Sequence, residues 1–578
     1  MSFFPKNSLN FFPLFALTLS AIMLCDNVFA QAVPSNVSPD VTQRRFDSPR
    51  ETRTPSNLGL PSIPGEDTLS AKERQQLEQK LFTLKTVRFD GATAFSQDAL
   101  KFSYEGLVGK KVSLADLQSI AKAVTDHYRK AGYTLSQAVL TQQNIKSGTV
   151  TIRVVEGYIG SIVIEGDISE GEKDVLRGYA DNIKSSSPVR IQDMERYMLL
   201  MNDLPGSTVS GLLRPSASQV GSADLVLTAT KKTFDGAYTF DNRGSKYIGP
   251  FQHSLTLGAN SVLGMYDRTQ FRFSTAHPIK SLQSYEVQHE QHIGTEGTTA
   301  GITLAQTNTN PQDTLAPLQI VGESTLYSAR TSHPFIRLRQ ESLIGRASFD
   351  ARDTKTDIFN NVHFTKDRIR TLRAGGAYNV MDDFFGSLKG NNLFDAQLSQ
   401  GLDIFDATTS GTNRSNTNGD ATFTKFNVSA SRTQALPHNF SIFASGTGQY
   451  SGTPLLASEQ FGLGGQDNAG AFDPAELLGD QALAGKIELR YNQFIGEQYF
   501  NNFQAFTYYD AGKVWLLKAP PGANDNTFLS SVGFGVRTNF TENFSGNADV
   551  SFPLEKPTVD QTSYRYEPRV FFSATARF

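Results

Sequence analysis

The chain has little cysteine, little net charge and, in its C-terminal half, no long apolar run. It contains one cysteine in 578 residues and carries a formal net charge of −3. So small a net charge creates no field that would favour nucleic acid as a partner. The mean hydropathy of −0.32 is that of a soluble protein, and composition alone leaves a large soluble all-β protein open.

The N-terminal leader, residues 1–30, is predicted to be a signal peptide. A lysine precedes a short apolar run, and small residues end at Ala30, which predicts cleavage between Ala30 and Gln31. Lipoprotein processing at Cys25 is disfavoured because Leu24 is large where that processing requires a small residue. The apolar run is also too short for a retained membrane helix. We therefore expect an exported mature protein without cysteine.

The C-terminal segment, residues 233–578, consists of short runs in which apolar and polar residues alternate. In residues 486–491, apolar or aromatic side chains alternate with charged ones, which predicts a strand between lipid and water. In the last run, residues 569–578, Phe572 and Phe578 fall on the apolar face. A terminal aromatic residue is typical of bacterial outer-membrane barrels, so we interpret both phenylalanines as a membrane-assembly signal.

A duplicated unit precedes the barrel. Residues 31–68 are rich in proline and are predicted to form a flexible arm, and leucine spacing in residues 69–85 predicts a lead-in helix. Residues 86–157 and 158–232 then each predict the order strand, helix, helix, strand, strand. In the first copy, the first helix is predicted to start at Ser96, and Ser113 is the predicted N-cap of the second helix. The edge strands of such small sheets can accept an extended polypeptide.

The duplicated unit resembles the polypeptide-transport-associated (POTRA) domain. Gly132-Tyr133-Thr134 and Val154-Val155-Glu156-Gly157 are similar to the version found in outer-membrane transporters of two-partner secretion, the haemolysin secretion/activation type. The stretch from Asp241 to Ser245 resembles the start of that family's barrel, and Tyr508-x-Asp510-x-Gly512 resembles a strand of the wider outer-membrane assembly superfamily. The resemblance implies α+β periplasmic POTRA domains followed by an all-β barrel of about sixteen antiparallel transmembrane strands.

One motif departs from the family pattern. The family carries Val-Arg-Gly-Tyr or a similar tetrapeptide on a loop that folds into the barrel, where the arginine can pair with the strand aspartate. Here that loop falls near residues 462–482, and residues 469–472, Ala-Gly-Ala-Phe, occupy the tetrapeptide position. Asp510 would lose its usual partner, and Arg490 is one candidate substitute. We expect the loop to fold inward with its gating contact rewired. The predicted gating and lumen residues are Gly464, Gly465, Gly470, Phe472, Arg490, Tyr508, Asp510 and Gly512.

Motifs that would indicate catalysis or metal binding are weak. His289 and His292 lie on a predicted strand and face opposite sides, which fits no zinc motif. The Gly-Lys pairs at 485–486 and 512–513 lack the other residues of a phosphate-binding loop, and no nucleophile lies at a useful spacing from a base. The sequence therefore predicts neither catalytic, cofactor nor metal residues, and not an enzyme.

The resemblance implies a translocator in the bacterial outer membrane with its POTRA domains in the periplasm. Its expected partners are a large secreted exoprotein with an N-terminal secretion domain, a haemolysin or an adhesin, together with outer-membrane lipid and the barrel assembly machinery during biogenesis. Transport would need no ATP. An outer-membrane barrel assembly or insertion factor is the alternative because it shares the superfamily fold. A passive porin or ligand receptor ranks last because it would not need the duplicated modules.

Overall fold

The computed structural model describes residues 34–46, 78–145, 147–216, 219, 221–359, 362–519, 524–555 and 567–578. The predicted signal peptide with its cleavage site at Ala30 and Gln31 lies outside these residues, as does most of the predicted arm. Among the residues that the structure describes, no helix is both long enough and apolar enough to cross a membrane.

The predicted flexible arm contains a helix, α1, at Pro39–Phe46, preceded by a 3₁₀ turn at Ser35–Val37. The prediction of flexibility is therefore wrong for these residues. Most of α1 is buried, and its contacts come from the barrel far along the chain. A proline-rich segment with few apolar residues cannot reveal such a partner, because the burial arises only once the barrel surrounds it.

The first N-terminal module packs one long helix on two small sheets. Its elements are β1 Lys80–Thr83, β2 Thr86–Asp90, β3 Lys111–Ser113, α2 Leu114–Lys130, β4 Gln137–Leu140 and β5 Thr149–Val155. One sheet has the order β2-β5-β4, and β1 pairs with β3. Ser113 is the N-cap of α2, as predicted: its hydroxyl accepts from the Asp116 amide at 3.2 Å, and the Asp116 carboxylate accepts from the Ser113 amide at 2.7 Å.

Two helix predictions in this region are wrong. The lead-in helix predicted over residues 69–85 is wrong for its described part, where Lys80–Thr83 is a strand, because β3 supplies an antiparallel partner that local leucine spacing cannot reveal. Its first part, residues 69–77, lies outside the described residues. The helix predicted to start at Ser96 is replaced by two short 3₁₀ turns, Lys101–Ser103 and Glu105–Leu107. Glycine at 106 and 109 within this stretch disfavours a longer helix.

The second module follows the predicted order of strand, helix, helix, strand, strand. Its elements are β6 Tyr158–Glu165, α3 Glu170–Ser185, α4 Ile191–Asp203, β7 Ser207–Pro215 and β8 Ser222–Lys231. The sheet order is β6-β8-β7, with β6 and β8 parallel. Both helices pack on this sheet, and the shared core includes Leu176, Tyr179 and Leu227.

A closed barrel of sixteen antiparallel strands forms the rest of the chain, as expected. Its strands are β9 Phe234–Asp241, β10 Gln252–Asn260, β11 Arg268–Ala276, β12 Leu282–Ile293, β13 Thr298–Thr309, β14 Val321–Arg337, β15 Glu341–Ile358, β16 Val362–Phe385, β17 Leu388–Gly401, β18 Thr424–Ala435, β19 Phe440–Ser451, β22 Gln481–Glu497, β23 Phe500–Trp515, β24 Asn526–Asn539, β25 Phe544–Pro553 and β26 Arg569–Arg577. Two short strands, β20 Phe461–Leu463 and β21 Leu477–Gly479, form a separate hairpin between β19 and β22.

Alternate residues of the barrel strands face lipid and lumen, as the sequence pattern predicts. On β22, Ile487 is 51% exposed while its neighbour Glu488 is 2% exposed. On β26, Val570 is exposed and Phe571 is buried. The wall therefore presents an apolar outer face and a polar inner face.

The second module docks on the short turns at one end of the barrel. Tyr266, in the β10–β11 turn, is buried in the core of the module. Arg196 of α4 pairs with Glu296 of the next turn at 3.0 Å, and Arg337 of β14 pairs with Asp203 at 2.6 Å. We call this end the turn end and the opposite end, where the longer connections lie, the loop end.

Candidate gating site in the barrel lumen

The connection between β19 and β22 folds back into the barrel. Gly464 and Gly465 both have positive φ, at +116° and +100°, a conformation that favours glycine. A Cβ atom on Gly464 would lie 2.3 Å from the Asp473 carbonyl oxygen. These glycines therefore permit the tight turn that starts the tip of the inward loop.

The tip packs on the inner wall of β22, β23 and β24. Ala469, Ala471 and Phe472 are buried, and they cluster with four wall side chains, Ala482, Ala484, Val514 and Leu529. Gly512 of β23 permits this close approach, because a Cβ atom there would lie 2.4 Å from Leu463 of β20. The inward position that was expected for the loop is thus held by small apolar contacts.

Asp510 is the polar anchor of the tip. The Gly470 amide donates to Asp510 Oδ2 at 3.0 Å, and the Ser531 hydroxyl donates to Oδ1. Lys486, which is opposite Asp510 on β22, places its Nζ 3.8 Å from Oδ2. A backbone N–H and a hydroxyl therefore hydrogen-bond to a carboxylate that is 0% exposed, and the lysine offsets its charge.

Arg490 is not the substitute partner of Asp510, and that prediction is wrong. Its Nη2 lies 2.8 Å from Glu488 Oε2, and its guanidinium lies 4.1 Å from the centre of the Phe443 ring. The register pairs Arg490 with Phe506, four residues from the pair that contains Asp510. At about 3.3 Å per residue, this offset of about 13 Å exceeds the reach of the side chain.

Tyr508 supports the anchor from the same strand. Its hydroxyl lies 2.6 Å from Ser551 Oγ, and Lys486 Nζ lies 4.3 Å from the centre of its ring. A Cβ atom on Gly533 would lie 2.5 Å from the ring. The ring is therefore fixed against the wall and leaves little room for the loop to shift.

A second anchor of the loop was missed by the sequence reasoning. Glu459 pairs with Lys425 at 2.7 Å and with Arg373 at 2.6 Å, and all three side chains face the lumen. Arg373 also pairs with Asp350 at 2.7 Å. Strand alternation could have placed Lys425 and Arg373 on the inner face, but nothing local shows that a loop carboxylate meets them.

Helix α1 lies against the inner wall beside this second anchor. Arg44 donates to the Gln460 carbonyl oxygen at 2.9 Å, and Arg45 pairs with Asp241 at 2.5 Å. Arg272 of β11 donates to the carbonyl oxygen of Phe46 at 2.6 Å. The helix thus contacts the inward loop and the wall through polar groups, whereas the tip of the loop also packs on the wall through apolar side chains.

The two phenylalanines of the predicted assembly signal lie at the seam between the first and last strands. The amide of Phe578 donates to Gly236 at 3.0 Å, and its ring is exposed. The Phe572 ring centre lies 5.5 Å from that of Phe240. Their role in assembly stays a prediction.

A closed barrel whose lumen holds an inward loop and a helix, and whose turn end carries POTRA-like modules, defines an outer-membrane transporter. Its modules lie in the periplasm, so the loop end faces the outside. The chain belongs to the haemolysin secretion/activation protein family ShlB/FhaC/HecB, whose sequence model matches residues 221–538. A POTRA domain of the ShlB type matches residues 82–157.

Named relatives agree with this family. The chain is 25% identical over 464 residues to the heme/hemopexin transporter protein HuxB of Haemophilus influenzae, covering 79% of this chain and 81% of the relative. It is 23% identical over 509 residues to the outer membrane transporter CdiB of Dickeya dadantii, covering 84% and 85%. The fold is similar to that of CdiB from Escherichia coli, with a TM-score of 0.73, 20% identity and coverage of 94% and 98%.

Proposed function

We propose that this transporter exports one large exoprotein through its lumen, after its POTRA modules recognise the unfolded N-terminal secretion domain of that partner. The observation that carries the proposal is the lumen itself. The inward loop and α1 occupy it through separate polar contacts with the wall, such as those of Asp510 and Arg45. Each hydrogen bond to a charged group of this kind contributes about 1.5–3 kcal/mol, so an incoming chain can displace them one at a time.

The sheets of the modules support recognition of an extended chain. Strands β4 and β7 each have one strand neighbour, β5 and β8. The other edge of each strand offers backbone groups to which an unfolded segment can add as a further strand, except at Ala138, whose amide bonds to Thr125, and at Val209, which bonds to Asn202. Recognition through backbone groups suits a cargo that has not yet folded.

Transport through this route needs no ATP. Folding of the exoprotein outside buries apolar surface and removes the unfolded chain from the transport equilibrium, which gives the movement a direction. The barrel itself does not determine whether the exported partner is a haemolysin or an adhesin. Outer-membrane lipid and the barrel assembly machinery are further partners during biogenesis, and the exposed Phe578 supports the latter.

Complementation tests the proposed cargo. The gene is deleted, surface and medium proteins are compared by mass spectrometry, and the strain is complemented with the wild type or with a version that lacks residues 86–230. We expect one large exoprotein to disappear and only the wild type to restore it. A general fall in outer-membrane barrels without loss of a single exoprotein would instead identify an assembly factor.

A lock across the barrel seam tests the route. The backbones of Gly236 and Phe578 exchange hydrogen bonds, and Asn242 bonds to Phe572, so Thr239 and Thr575 form a non-hydrogen-bonded pair between them. Cα atoms in such a pair are about 4.5 Å apart, which suits a disulfide. The only native cysteine lies in the predicted signal peptide.

We expect the oxidised double variant Thr239→Cys/Thr575→Cys to secrete as well as its reduced form and as well as each single variant. If oxidation alone stops secretion, the cargo leaves through the seam and the proposed lumen route is wrong.

A further inference from the structure

A basic cavity of about 580 Å³ lies at the loop end of the barrel, between β15, β16 and the β17–β18 connection. Four lysine or arginine side chains, one histidine and one aspartate line it. These residues are Lys355, His363, Lys366, Arg368, Arg414 and Asp406. None of them belongs to the gating site, which lies inside the barrel.

The strand cations of this cavity are on the outer face of the barrel. On β16, Arg373 points into the lumen, where it binds Glu459. The preceding residue, Leu372, is 51% exposed on the lipid side. The pairing of β16 with β15 is regular from residue 365 onward, so Lys366 and Arg368 share the face of Leu372. They therefore extend from the lipid-facing surface toward the outside.

The level of the cavity relative to the membrane follows from an exposed tyrosine. Tyr327 is paired with Ala351, which in turn is paired with Arg370. Exposed tyrosines on barrels mark the membrane interface. Arg368 and Lys366 lie two and four residues nearer the loop end than Arg370, which at a strand tilt of about 40° places them about 5 and 10 Å further out. The cavity is thus at the height of the outer-leaflet headgroups.

Neighbouring carboxylates neutralise these cations only in part, although Glu323 of β14 is paired with Lys355. Lys366 lies directly opposite Lys355 in the β15–β16 pair, and like charges in that position destabilise a sheet. Lys355 has Asp357 at 2.6 Å. Lys366 is exposed and makes no ion pair with any residue that the structure describes. An anion between the two lysines would remove this repulsion.

The two arginines of the cavity are held by other groups of the protein without full loss of their charge. The Arg414 guanidinium donates to the carbonyl oxygens of Gly411 at 2.9 Å and Thr417 at 2.6 Å, which fixes the group without cancelling its charge. Arg368 lies 3.1 Å from Asp406 and 3.9 Å from Asp353, whose side chains are 85% and 50% exposed, and ion pairs at such exposure contribute little. The cavity therefore presents a preorganised positive surface.

We propose that this cavity binds the phosphate groups of the phosphorylated glycolipid that forms the outer leaflet of the bacterial outer membrane. Arginine and lysine together are the side chains that bind phosphate, and charge-assisted hydrogen bonds are the strong ones. The outward orientation and the height of the cavity select a membrane headgroup over a ligand in the lumen. Binding there tethers the β17–β18 connection to the leaflet.

The test uses the full-length protein in detergent, incubated with a bis-phosphorylated lipid A and examined by native mass spectrometry and thermal unfolding. Parallel samples receive the dephosphorylated lipid or inorganic phosphate. Lys366→Gln is compared with Lys389→Gln, which removes one exposed lysine at the turn end. Retention of heat-modifiable mobility on gels confirms that each variant is a folded barrel.

We expect the wild type and Lys389→Gln to retain the bis-phosphorylated lipid and Lys366→Gln to bind it about tenfold more weakly. Without lipid, Lys366→Gln should unfold at a higher temperature than the wild type, because the lysine repulsion is gone. Equal loss of lipid in both variants, or equal binding of the dephosphorylated lipid, would overturn the proposal. Saturation by inorganic phosphate at the same concentration would show a free-anion site and would overturn the assignment to the glycolipid.

Discussion

Substitution of Gly470 by alanine should release the inward loop. A Cβ atom at this position would lie 2.7 Å from the Tyr508 hydroxyl oxygen and 3.3 Å from Asp510 Oδ2. The tyrosine cannot retreat, because Ser551 holds its hydroxyl at 2.6 Å and the wall glycine Gly533 lies against its ring. The loop must therefore move away from the wall.

The size of the effect follows from the bond that is lost. Movement of the tip breaks the 3.0 Å hydrogen bond from the Gly470 amide to the buried Asp510 carboxylate. Hydrogen bonds to charged groups contribute about 1.5–3 kcal/mol. The fraction of barrels with a displaced loop should therefore rise roughly 10- to 100-fold.

Single-channel recording in planar bilayers measures the fraction of barrels with a displaced loop as the probability that the channel is open. The matched control is Gly452→Ala, in the same connection, where a Cβ atom would meet nothing within 4 Å. We expect frequent openings for Gly470→Ala and wild-type behaviour for the control. Identical recordings from the two variants would refute the assignment of the Asp510 contact as the restraint on the loop.

Three further predictions follow from the lumen and from the second module. In a double-mutant cycle on channel opening, Lys486→Gln and Asp510→Asn should show a coupling energy of about 1 kcal/mol. The effects of Arg490→Gln and Asp510→Asn should be additive. Coupling only between Arg490 and Asp510 would restore the pairing of these two residues that the structure contradicts. Burial raises the pKa of Glu172, but hydrogen bonds, led by that from Lys231, lower it overall to about 2 from an ordinary 4.5. The ionised carboxylate therefore stabilises the fold above about pH 4.5, and this contribution, up to about 3 kcal/mol, is lost as the pH falls toward 2. Thermal unfolding followed by circular dichroism at 222 nm measures the stability of the helices between pH 4.5 and pH 2. Over this range Glu172→Gln should lose less stability than the wild type, and equal losses would contradict the assigned role of the carboxylate. Deletion of α1 should raise the basal conductance of reconstituted barrels, and an unchanged conductance would show that the helix does not restrict the lumen.

Alternation and capping patterns predicted those elements whose structure is determined locally. The two-residue period of residues 486–491 places Ile487 outside and Glu488 inside, because each strand of a closed barrel faces lipid on one side and the polar lumen on the other. Ser113 caps α2 because its hydroxyl and the carboxylate three residues later satisfy free amides of the first turn. Neither result depends on distant parts of the chain.

The predictions failed where a partner lies far away in sequence. The sequence identified Asp510 as a lumen carboxylate that needs a new partner, but strand register decides which cation can reach it. One register places Lys486 opposite Asp510, and a shift of four residues would have placed Arg490 there. That register depends on the complete ring of strands. The Gly470 amide was equally hidden, because an alignment that looks for a replacement side chain has no reason to consider a backbone N–H. The anchor for which the resemblance implied an arginine is thus made by a glycine that lies close enough to the wall for its own backbone amide to bind the carboxylate.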